Sequence, residues 1–74
     1  MGGWVDGDEI VDVLERRGLS RREATILAAS LDRLTDEEIS EQFFIGIRHL
    51  PGIRREALAK LGVDSLDEAR AILG

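Results

Sequence analysis

A chain of 74 residues with a net charge of −5, no cysteine and one histidine is one domain's worth of sequence. Folding buries only ~60% of the surface of so short a chain, so its stability margin is thin. The composition excludes a disulfide framework, a thiolate metal site and a multi-histidine site, and no apolar run approaches the ~20 residues that cross a bilayer.

No signal-peptide pattern opens the chain, so a cytosolic location is expected, with no membrane contact. The charge is uneven. Residues 1–45 hold five arginines against eleven acids (−6), and residues 46–74 hold five basic residues against four acids (+1). Over 46–60, Arg48, Arg54, Arg55 and Lys60 face only Glu56, a balance of +3. Nucleic-acid binders usually carry a broad basic footprint; the one form open to this chain is a local basic face on an acidic body.

Met1-Gly2-Gly3 reads as a flexible start, and Trp4 as a cover for the bundle edge or a contact for a partner. Asp6-Gly7-Asp8 offers an aspartate N-cap to a helix over Glu9–Arg17, with Ile10, Val13 and Leu14 at helical spacing, Val11 beside them, and Gly18 as the stop. Ser20-Arg21-Arg22-Glu23 is a capping box: the serine hydroxyl and the glutamate three residues on each satisfy a backbone amide of the other. Ile26, Leu27 and Leu31 continue that helix, and Ala24, Ala28 and Ala29 allow close helix approach. Thr35-Asp36-Glu37-Glu38 is a second box with Leu34 and Ile39 as its hydrophobic staple, and Ser65-Leu66-Asp67-Glu68 is a third. Gly62 closes the helix before it. Phe43, Phe44, Ile45 and Ile47 are the densest apolar cluster and are expected in the core. Nothing alternates as a strand would, so the fold expected is an all-α, compact five-helix domain.

Catalysis finds no footing. The serines lack a nucleophile context, and Asp36-Glu37-Glu38 is the acidic first turn that a helix dipole favours. No cofactor and no enzymatic activity are expected.

Three stretches then resemble a known family: LSRREATIL (Leu19–Leu27), LTDEEISEQFFI (Leu34–Ile45) and KLGVDSLDEA (Lys60–Ala69) match, in register and without a gap, the LuxR/GerE-type helix-turn-helix domain over residues 19–73. The resemblance implies a tail and extra helix over 1–18 followed by a four-helix DNA-binding bundle over 19–74, forming one compact unit. It also implies a small transcriptional regulator that acts on duplex DNA as a dimer, because the family's second motif helix reads the major groove. Its contacts would be Arg48, His49, Arg54, Arg55 and Lys60, with Arg55 the best candidate to bond guanine bidentately. Ala69 and Ile72 on the last helix would pair two copies.

The departures lie where the family touches DNA. Where it reads S-x-x-T-V-K-x-H, this chain reads Gly46 to Ile53, with His49 at the threonine and Pro51 at the lysine. A proline inside a helix costs ~3 kcal/mol but suits its first position. The helix is therefore expected to start at Pro51, with Gly46–Leu50 forming a longer loop or separate turn. HLPGIRREALAKLG is also similar, more weakly, to a helix-hairpin-helix, although Arg54 occupies that motif's second glycine. The alternative function is a helix-turn-helix retained as a protein-interaction module that does not bind DNA. Trp4, Ile47 and Leu50 would then be its exposed apolar contacts, and a regulatory protein, RNA polymerase or its own copy its partner.

Overall fold

The structure is a computed structural model that describes residues 7–73, with side chains from position 9. Five α-helices follow one another: α1 (Gly7–Arg16), α2 (Arg21–Leu31), α3 (Asp36–Phe43), α4 (Leu50–Leu61) and α5 (Leu66–Leu73). A 3-10 turn at Ile47–His49 leads into α4. No strand occurs among the described residues, so the all-α, five-helix expectation holds. Trp4 and Asp6 lie outside the described residues.

Local chemistry sets the helix ends. Ser20 Oγ accepts from the Glu23 amide at 3.2 Å while Glu23 accepts from the Ser20 amide at 2.9 Å. Thr35 and Glu38 repeat the exchange at 3.1 and 2.9 Å. The third box differs: Ser65 Oγ caps the Glu68 amide at 3.2 Å, but the Glu68 carboxylate reaches back to the Asp64 amide instead. Gly18 and Gly62 sit at φ +103° and +80°, where a Cβ would be strained, and so stop α1 and α4. Pro51 falls in the first turn of α4, one residue after the helix begins. Its missing N–H leaves no intrahelical bond unmade there. Thr35→Ala should cost ~1 kcal/mol, read as a lower urea midpoint with an unchanged denaturant slope.

Packing is centred on α2, which touches all four other helices. Its alanines permit this: Ala24 and Ala28 join Val11, Leu14, Leu19, Leu27 and Ala57 in one core cluster. Ile26 and Ala29, on the neighbouring face of α2, meet Ile39 and Leu50 in a second. The N-terminal helix therefore covers the bundle through Val11 and Leu14. The expected position Val13 is exposed instead, because a turn of ~100° per residue cannot bury Val11 and Val13 on one side.

Several expectations about burial are corrected. Leu50, expected as an exposed contact, is fully buried: the 3-10 turn advances the chain so that this first residue of α4 points between α2 and α3. Ala69 is also fully buried, so it cannot pair two copies, whereas Ile72 is 42% exposed. Phe43 and Ile45 do pack against the second cluster. Phe44, expected in the core, is 94% exposed, and Ile47 is 46% exposed. The reason is that α3 ends at Phe43, and Phe44 takes the left-handed conformation at φ 57°, ψ 43°, which turns its side chain away from the apolar face. That conformation costs a Cβ-bearing residue ~1–2 kcal/mol.

Candidate nucleic-acid interface

The five residues expected at DNA separate into two groups on α4 and the turn before it. Arg54 faces inward: its Nε donates to Ser30 Oγ at 3.1 Å and its Nη2 pairs with Asp36. Ser30 in turn donates to the Ile26 carbonyl at 3.0 Å, so one guanidinium ties α4 to both α2 and the first turn of α3. Lys60 Nζ donates to Glu23 Oε1 at 2.8 Å, binding the end of α4 to the start of α2. These two charges are neutralised within the fold.

Arg48, His49 and Arg55 are exposed, and none of them has an acidic partner among the described residues. His49 folds back over the turn, so that a Cβ on Gly46 would lie 3.0 Å from its Cδ2. The outer face of α4 consists of Gly52, Arg55, Glu56 and Ala59, all exposed, at the i, i+3, i+4, i+7 spacing of one helix side. Gly52 and Ala59 project almost nothing, so this face could approach a surface closely. Arg55 and Glu56 stand side by side on it, and no unbroken positive stripe runs along the helix.

Glu23 was legible only as a cap. It is 8% exposed and accepts from both Ser20 and Lys60. The Lys60 bond, then the Ser20 amide, hold its carboxyl below the ordinary glutamate value against the opposing effect of burial. No local pattern points to this pair, whose members are 37 residues apart. The Asp36–Arg54 pair, 18 residues apart, is equally hidden.

A second feature lies on the other side of the α3–α4 turn. An open cleft of ≈ 310 Å³ is lined by Arg22, Thr25 and Ile26 of α2 and by Phe43, Phe44 and Ile45. Among the described residues, no group of histidine and acidic side chains is placed to hold a metal ion, and no helix is long and apolar enough to cross a membrane. No protein-family model matches the chain, and comparisons with curated proteins and with solved structures return no match.

Proposed function

We propose that the chain is a helix-turn-helix protein that docks α4 on duplex DNA, with Arg48 and Arg55 on phosphates and His49 beside them. The observation that carries this reading is the division of the α4 cations. Arg54 and Lys60 fix the helix against α3 and α2, while Arg48 and Arg55 project into solvent next to a helix face thinned by Gly52 and Ala59. A slim helix held rigidly at its back suits entry into a major groove ~12 Å wide. Arg54 and Lys60 then act as positioning residues and make no contact with DNA.

Two phosphate contacts per chain give a salt dependence with a slope of about −2 in log K against log salt. Fluorescence anisotropy on a short duplex should show that slope, reduced by ~1 in either Arg48→Ala or Arg55→Ala. Lys60→Met should leave the slope unchanged. Absence of binding at ~50 mM salt, where phosphate contacts are strongest, would remove this reading.

The second reading, a protein-interaction module, is favoured by the net charge of −5, which repels DNA at long range, and by the exposure of Phe44. It predicts no salt-dependent affinity for the duplex.

A further inference from the structure

We infer that a second copy of this chain docks at the α3–α4 turn, each copy inserting its Phe44 into the other's cleft. This inference stands apart from the DNA reading and uses none of the residues assigned there.

Two unfavourable conditions meet at Phe44. A large apolar ring is 94% exposed to water, at a left-handed position where glycine is the least strained residue. Strain of this kind persists where the surroundings hold it, and here they do. The Phe44 amide donates to the Ser40 carbonyl, Ser40 Oγ donates to the Ile45 carbonyl at 2.6 Å, and the Ile45 amide returns to Ser40 at 3.2 Å. The ring is thus carried on a turn pinned on both sides, so little backbone ordering entropy is lost when it is buried.

The cleft beside it accepts such a ring. Its floor is the buried Ile26, its walls include Phe43 and Ile45, and its ≈ 310 Å³ exceeds the ~150 Å³ in which an apolar cavity holds benzene. Arg22 at its edge is exposed and has no ion-pair partner among the described residues, leaving its guanidinium available to the face of an aromatic occupant.

What selects a second copy as the occupant is that projection and recess are neighbours: Phe44 itself forms part of the cleft wall. A two-fold axis passing beside Phe44 can exchange both rings at once and close the contact. Had ring and cleft lain on opposite faces, the same pieces would build open-ended chains. Ile47, three residues on, is a further exposed apolar side chain at 46%. The contact is small, so the dimer should be weak, with a dissociation constant of about 10 µM to 1 mM. Two chains of −5 repel each other, so added salt should tighten the dimer, opposite in sign to DNA binding.

Sedimentation of the full chain from about 1 µM to 3 mM tests this, with Phe44→Gly as the main variant. The wild type should pass from monomer to dimer across that range, more readily in salt. Phe44→Gly should weaken association at least ~100-fold, as expected when one anchor is removed from each side of a symmetric contact. Because glycine relieves the left-handed strain, the thermal midpoint of the dilute variant should hold or rise, separating lost association from lost folding. Arg22→Glu should weaken the dimer less. Concentration-dependent amide shifts at Arg22, Thr25 and Ile45 should vanish in Phe44→Gly. A wild type that stays monomeric throughout overturns the inference. So does a dimer that survives Phe44→Gly, which would place the contact on another surface such as Ile72.

Discussion

Leu50→Ala is expected to lower the unfolding free energy by ~2–5 kcal/mol, as truncating a fully buried leucine does. For 74 residues the total stability is on the order of 4–11 kcal/mol, so the variant should lose a large fraction of it. Leu50 meets Ile26, Ala29 and Ile39, the joint between α2, α3 and α4. Losing its methyl groups leaves a cavity where the first turn of α4 is seated. Urea unfolding followed by circular dichroism measures the cost. A loss under ~0.5 kcal/mol, usual for a surface position, would contradict the burial and return Leu50 to the exposed contact role expected for an interaction module.

The second large effect is at Glu23. Glu23→Ala removes the partner of the Ser20 amide and of Lys60 together, and should cost ~1.5–2.5 kcal/mol. The ion pair contributes a minor share, ~0.5–1 kcal/mol, because the Lys60 side chain is 46% exposed and water screens it. A double-mutant cycle with Lys60→Met isolates that share. The pH dependence has a definite sign. The Glu23 carboxyl lies below its ordinary value in the folded chain, so the unfolded chain takes up this proton first as pH falls. The contribution is complete above the ordinary glutamate value and is lost as pH drops through the lower folded one. Glu23→Gln should therefore narrow the stability gap to wild type on acidification. A gap that stays constant down to strongly acidic pH would show that the carboxylate charge has no part in holding α4 to α2.

The two kinds of prediction differ in how far they could be read from the chain. The starts of α2 and α3 are written in Ser20-Glu23 and Thr35-Glu38, where donor and acceptor lie three residues apart, so no distant partner is needed to bring them together. Pro51 excludes a helix running unbroken through it and places a new start beside itself. The all-α class follows from these boundaries and from the spacing between them. The candidate interface was only half legible. Arg48, Arg54, Arg55 and Lys60 are alike as cations, and nothing local distinguishes the two that pair with acids of neighbouring helices.

The sequence by itself determined the starts of α2 and α3 and the stops after α1 and α4, because capping boxes and left-handed glycines act over three or four residues. Tertiary structure alone decided burial at the junctions between helices. Each residue rotates the side chain by ~100°, so a helix that ends at Phe43 or begins at Leu50 buries one neighbour and exposes the next. Phe44 went to solvent and Leu50 to the core for that reason. Asp36 and Glu23 captured Arg54 and Lys60 only because α2, α3 and α4 pack together, leaving Arg48, His49 and Arg55 as the residues of the turn and helix without an acidic partner among the described residues.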